Sequence, residues 1–379
     1  NTFLSERLSG MKLIQIFARE EEKYAQFEKK SEDLYKANWR EVMTFAIFRP
    51  SIYLVSVLAM MLVIGTGSAG VLNQTLSLGT LFIFITYISS FFDPIQELAE
   101  QFGTLQSSLA SAGKIFSILD EKPDIVKPTH PVEVNIKGRI EFRHVWFAYE
   151  KDDYILKDIS FVIEPGEKVA FVGATGAGKS SILNLIGRYF DIQKGEILID
   201  GVNIKDIDTD VLRAAIGQVQ QDVFSFTGDI KSNISLDNEN ISIEDVKRAA
   251  EIVHADSFIE KMPGGYDAPV TERGSTLSAG QRQLLSFART LAYDPTILVL
   301  DEATANIDTE TEALITSALA KLMEGRTTIM VAHRLSTIQH ADKIIVMHQG
   351  QIKEAGTHQE LLAQNGLYRK LYDLQLVEA

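Results

Sequence analysis

The sequence predicts a partial α-helical membrane domain followed by an α/β domain with a largely parallel sheet. Three observations carry this prediction. Two adjacent runs, residues 51–72 and 76–92, contain no charged side chain. From about Gly138 onward, short apolar strand-like runs alternate with helical patterns. Between one such strand and a helix lies Gly173-Ala174-Thr175-Gly176-Ala177-Gly178-Lys179-Ser180.

Residues 1–41 are charged and helix-like. Leu4, Leu8, Met11 and Ile14 recur at three- and four-residue spacing, as do Tyr24 and Phe27, with charged residues between them. Residues 51–72 are long and apolar enough to span a bilayer. Residues 76–92 form a second run ending at Asp93-Pro94, and Asn73-Gln74-Thr75 is a polar turn between the two. A buried hairpin in a soluble protein has the same pattern, but two adjacent uncharged runs of near-spanning length favour membrane helices. The turn holds no Lys or Arg, whereas residues 1–49 hold nine, so both ends of the hairpin are expected on the cytoplasmic side.

Residues 95–119 read as a further helix. Residues 120–137, with Pro123, Pro128 and Pro131, read as an extended linker. The expected domains are therefore 1–119, the linker 120–137, and 138–379. Strand-like runs within the last occur at 140–142, 169–172, 197–199, 297–300, 328–331 and 344–347.

Composition narrows the function. The 379 residues carry a net charge of −14, and residues 134–379 hold 25 Lys/Arg against 36 Asp/Glu. That balance argues against a nucleic-acid partner. There is no cysteine, which excludes disulfides and thiolate metal sites. The chain begins at Asn1 with no signal-peptide pattern and reads as a piece of something longer.

The octapeptide supplies the chemistry. Its glycines let the backbone curl so that amide groups face phosphate oxygens, and the following helix adds a partial positive charge. Lys179 is expected to reach the β- and γ-phosphates, and the Ser180 hydroxyl to ligate Mg2+. Ser181 opens the helical pattern that follows. Downstream, the apolar run 297–300 delivers Asp301-Glu302. Asp301 is expected on the metal side, and Glu302 is placed to orient or deprotonate the attacking water.

Leu277-Ser278-Ala279-Gly280-Gln281, followed by Arg282-Gln283, resembles the signature motif of the ATP-binding cassette (ABC) ATPases. Other segments fit in the family's order. Val219-Gln220-Gln221-Asp222 resembles the Q-loop, with Gln221 as a magnesium ligand. Residues 301–308 resemble the D-loop region, and Val331-Ala332-His333-Arg334 the switch histidine. Tyr149 matches the adenine-stacking aromatic, with Tyr154 the second candidate. The resemblance covers residues 138–379 and implies an α/β P-loop ATPase with a helical subdomain. It implies that Glu302 and His333 are catalytic, and that Ser278, Gly280 and Gln281 contact ATP held by another cassette.

Membrane helices before a cassette resemble the ABC exporters, which have six spans per half; this chain would hold the last two. Residues 5–17 would then match the coupling segment that docks on a cassette. The resemblance implies ATP-driven export of hydrophobic or drug-like compounds across the bacterial cytoplasmic membrane, with lipid around the spans. Lipid or peptide cargo is the alternative, and a soluble ABC ATPase fits poorly with the hairpin and the acidity. Phe82, Phe84, Tyr87, Phe91 and Phe92 suit flat apolar cargo or lipid equally, and Asp93 is a functional candidate or an interfacial residue.

Three departures concern elements that act between cassettes. Ala279 stands where the signature usually has glycine, Ala305-Asn306-Ile307-Asp308 replaces Ser-Ala-Leu-Asp, and Pro269 stands where an acid is usual. This resembles the catalytically competent half of heterodimeric multidrug exporters. The expected partner is a non-identical half-transporter with a degenerate catalytic Glu; a homodimer with neutral drift is the alternative.

Overall fold

The computed structural model describes residues 2–151, 153–220, 223–271, 274–301, 309–331 and 341–378. The chain divides into two compact units, Asn1–Lys122 and Pro123–Ala379.

The first unit is helical. Helices α1 (Thr2–Ser9) and α2 (Met11–Ile16) are short. They lead into α3 (Glu20–Leu72, 53 residues), which joins the charged N-terminal pattern and the first apolar run into one helix. The predicted polar turn follows, closed by the Thr75 amide donating to the Gly70 carbonyl at 2.9 Å. Ser77 then caps α4 (Leu78–Leu119, 42 residues) by accepting from the Thr80 amide. Both α3 and the segment Leu78–Ile95 are long and apolar enough to cross a membrane. The second uncharged run and the helical stretch 95–119 form one helix, because α4 continues through Pro94 just as α3 continues through Pro50. A proline deletes one N–H from the ladder and strains one carbonyl, and a long helix can absorb that as a bend.

The second unit begins with the proline-rich segment and enters β1 (Ile140–Phe147) and β2 (Leu156–Ile163). Strand β3 (Lys168–Val172) leads through the glycine loop to α5 (Lys179–Ile186). Then come β4 (Lys194–Ile199), β5 (Val202–Asn203), α6 (Thr209–Ala214) and β6 (Ile216–Val219). A mainly helical part follows: β7 (Gly228–Asp229), α7 (Ile230–Ser235), α8 (Ile243–Ile252), α9 (Asp256–Ile259), β8 (Pro269–Val270) and α10 (Ala279–Ala292). The chain returns through β9 (Ile297–Asp301), α11 (Thr309–Met323), β10 (Thr327–Val331), β11 (Lys343–His348) and β12 (Gln351–Gly356). It closes with α12 (His358–Gln364) and α13 (Leu367–Glu378).

The main sheet has the order β12-β11-β3-β10-β9-β6, parallel except for the β11–β12 hairpin. Alternate residues of its central strands enter two different cores. Val169, Phe171, Val299, Ile329 and Ile345 join one cluster; Ala170, Val172, Leu298, Met330 and Ile344 join the other. A sheet buried on both faces needs near-continuous apolar strands, which is why 297–300 and 328–331 are so legible.

The runs at 140–142 and 197–199 do not belong to that sheet, contrary to the single interleaved core expected. They lie in an antiparallel sheet of order β2-β1-β4-β5, which covers one face of the first. Apolar runs of three residues do not encode pairing partners, so this assignment needed tertiary contacts.

Candidate nucleotide site

The glycine loop sits at the C-terminal edge of the parallel sheet, where β3 ends between β10 and β11. In doubly wound sheets this edge is where ligands bind. Its tight course has local causes. A Cβ on Gly173 would collide with the Met347 carbonyl, so the loop passes directly against β11. Gly178 caps α5 with φ +98°, a left-handed conformation that glycine adopts freely. Behind the loop, the Gly350 amide donates to the Ala177 carbonyl at 3.2 Å, and the Lys157 amide to the Gly350 carbonyl at 2.8 Å.

Lys179 is buried, and its ammonium donates to the carbonyls of Gly173 (2.7 Å) and Ala174 (3.1 Å). This folds the side chain back over the loop and holds the charge at its mouth. Thr175, Gly176, Gly178, Lys179, Ser180, Ser181 and Asp301 line one cleft of about 900 Å3. Tyr154, Ile155, Lys157, Val331, Gln349 and Gly350 complete the lining. The Ser180 hydroxyl and the Asp301 carboxylate, 121 positions apart in sequence, are thus brought to one cavity. The lining thus holds two lysines, Lys157 and Lys179, beside the one carboxylate of Asp301.

Tyr149 is 45% exposed and flanks the cleft: its hydroxyl donates to Ser181 Oγ at 3.2 Å and accepts from Asn184 Nδ2 at 3.3 Å. Edge contacts with Phe147 and Phe190, at centroid separations of 4.8 and 4.9 Å, fix its ring. Tyr154, the second aromatic candidate, lines the cleft itself. Lys157, Gln349 and Gly350 were not singled out from sequence. The available signal was the Gln349-Gly350 turn after the apolar run 344–347.

The signature residues lie elsewhere in the second unit. Ser278 is the N-cap of α10, and a capping box joins it to Gln281: Ser278 Oγ accepts from the Gln281 amide at 3.2 Å, and Gln281 Oε1 from the Ser278 amide at 2.9 Å. Gly280 is buried in the first turn, whereas Ser278 and Ala279 are exposed. Arg282 braces the preceding loop through the Leu277 carbonyl (2.6 Å) and the Gly274 carbonyl (3.3 Å). None of Ser278, Gly280 and Gln281 lines the phosphate-loop cleft. Gln221, Glu302, His333 and the D-loop residues Ala305, Asn306, Ile307 and Asp308 lie outside the described residues.

Comparison with known proteins agrees with this geometry. Residues 156–305 match the family model of the ABC transporters, and residues 1–95 that of the ABC transporter transmembrane region. The chain is 47% identical over 378 residues to the ABC transporter ATP-binding protein exp8 of Streptococcus pneumoniae, covering 99% of this chain and 64% of that protein. It is 44% identical over 378 residues to YheH of Bacillus subtilis, named for multidrug resistance as an ABC transporter ATP-binding/permease protein, covering 99% of this chain and 56% of that one. Among solved structures, a bacterial Atm1-family ABC exporter with ATP bound superposes with a TM-score of 0.85 at 34% identity, covering 98% of this chain and 65% of that one. The chain belongs to the ABC transporters, joining a transmembrane region to an ATP-binding domain. It is accordingly a membrane protein with its nucleotide-binding domain on the cytoplasmic side. It spans less than two thirds of the length of these relatives.

Proposed function

We propose that this chain is part of an ATP-driven exporter of hydrophobic or drug-like compounds, working with a second half-transporter. The observation that carries the reading is the convergence of Lys179, Ser180 and Asp301 on one cleft, in a chain whose first 95 residues match a transmembrane region. ATP binds with its phosphates in the loop 173–178 and its adenine against Tyr149. The donors Ser180 and Asp301 are hard oxygens and suit Mg2+. Mg2+ commonly keeps several waters and is held by one or two protein groups together with substrate phosphates, which suits this small donor set. Mg2+ supplies charge neutralisation between the phosphates; Gln221 is its proposed further ligand. Glu302 orients and deprotonates the attacking water, and His333 contacts the γ-phosphate.

The signature completes a site on another chain. Its capping box serves the amides of Ser278 and Gln281, leaving those of Ala279 and Gly280 as first-turn donors with no intrahelical acceptor. Such a helix start suits a phosphate presented by another subunit. Closure of two cassettes over ATP drives the spans outward-facing, and hydrolysis releases them.

The partner is proposed to be a non-identical chain with a degenerate catalytic Glu. Ala279 occupies a helical position with no positive φ, so glycine is not needed there for backbone conformation. What weakens the partner site is instead the methyl of Ala279, exposed at the turn that would face the phosphate. Purified protein reconstituted without any partner chain tests this: low ATPase activity and transport are expected, and full activity of both overturns the heterodimer.

A further inference from the structure

The segment between α4 and β1 is tied down along the second unit. The Arg139 amide donates to Asp200 Oδ1, and the Lys137 and Gly138 amides to Asp200 Oδ2, at 2.7–3.2 Å. The Val132 amide donates to the Asp206 carbonyl at 2.8 Å, and Lys127 pairs with Asp210 on α6 at 2.5 Å. The last tie comes from Arg188, one residue beyond the glycine that ends α5.

Arg188 is 3% exposed and sits at φ +47°. A non-glycine residue in that conformation carries a backbone cost that its surroundings must offset. The guanidinium supplies the offset. Its Nη2 donates to the Val126 carbonyl at 3.1 Å, its Nη1 to the Ile204 and Lys205 carbonyls at 3.4 and 3.3 Å, and its Nε to Asp191 at 3.2 Å. Val126 is 70% exposed, so its side chain contributes little to holding the segment. A second link runs in parallel: Arg213 on α6 donates to the Gly187 and Arg188 carbonyls at 3.3 and 3.0 Å. The end of α5 is thus connected to Val126 through Arg188, and to Lys127 through α6 and Asp210.

The N-terminus of α5 is the phosphate loop, and its C-terminus grips the segment that leads to the membrane helix α4. We propose that Arg188 is a positioning residue that transmits the nucleotide state of the phosphate loop, through the rigid two-turn helix α5, to the strap of residues 123–139. This rests on the cleft binding ATP, as proposed above.

Hydrogen exchange on the full protein in lipid nanodiscs, with and without ATP, tests the proposal on Arg188→Met and Arg188→Lys. In the wild type, ATP is expected to slow exchange in the strap by at least threefold as well as in the phosphate loop. In Arg188→Met the strap response is lost while the loop response and the ATP Kd stay within threefold of wild type. Arg188→Lys keeps the charge, gives up the forked donors, and loses part of the strap response; it also serves if the Met variant does not fold. A full strap response in both variants overturns the proposal. So does a strap loss accompanied by an equal loss of ATP affinity, which is what a merely structural role predicts. Wild-type protein that binds ATP without any strap response overturns this inference alone; failure of the wild type to bind ATP overturns the site reading beneath it.

Discussion

The phosphate-loop cleft and the signature turn, the two regions proposed above to handle nucleotide, are prepared differently. In the cleft, the loop residues, two lysines, a serine hydroxyl and a carboxylate converge on a cavity. At the start of α10, Ser278 and Gln281 are bonded to each other across the first helical turn, on an exposed face. One region is assembled by its own chain to receive a ligand. The other is a stiffened helix start that lies outside that cleft. On the function proposed above, the contrast teaches that chemistry and completion are divided: the cleft would carry the cis groups, and the signature would be presented to another chain.

That division can be probed by substitutions of decreasing effect. Glu302→Gln should leave ATP bound and slow hydrolysis by about 10²–10⁴-fold, the range for losing a positioned general base, as read by single-turnover assay. Wild-type turnover in that variant removes Glu302 from its proposed role. Lys179→Ala should weaken ATP binding by roughly 10- to 100-fold in equilibrium titrations, the equivalent of about 1.5–3 kcal/mol for a charged hydrogen bond. An unchanged affinity would mean that Lys179 braces the loop and does not hold the nucleotide.

On the signature side, Ser278→Ala should lower thermal stability by about 1 kcal/mol through loss of the N-cap, with ATP binding at the phosphate loop unaffected. A matched loss of ATP affinity would join the two regions in one chain and erase the contrast.

The smallest effect concerns the antiparallel sheet beside the cleft. Hydrogen bonds from Arg143 and then Arg139 hold the Glu141 carboxyl well below its ordinary 4.5, at about 2. A depressed carboxylate contributes stability that is present above about pH 4.5 and is lost as pH falls through about 2. Glu141→Gln should therefore lower the melting temperature slightly at pH 7 and flatten its fall between pH 5 and pH 2. An unaltered pH profile would show that the two arginines are not holding this charge.

Much of this was legible in the sequence where one physical demand dictates one residue pattern. A phosphate loop needs small residues and one cation, so Gly173, Gly176, Gly178 and Lys179 announce it. Strands buried on both faces must be apolar throughout, so β9 and β10 stand out. What was not legible depends on contacts distant in sequence. The antiparallel pairing of β1 with β4 leaves no local trace, nor does the approach of the Gln349-Gly350 turn to Ala177. The proline-rich segment reads as a spacer because its composition denies helix; its ties to Asp200, Asp210 and Arg188 come from residues 60 to 85 positions away. Helix α4 passing through Pro94 shows the converse, a local breaker overruled by the ladder on either side.

The most direct test of the division is to learn what closes over the cleft. These 379 residues hold no cysteine, so Thr175→Cys in a Glu302→Gln background, with any cysteine elsewhere in the full protein replaced by serine, gives a single attachment point on the exposed rim of the phosphate loop. A short photo-crosslinker placed there, activated with ATP bound, can be mapped by mass spectrometry of the full protein in lipid. The account predicts a product of two chains, joined to a signature peptide at or equivalent to residues 277–282. A monomer-sized product joined only to this chain's own cleft peptides would contradict it.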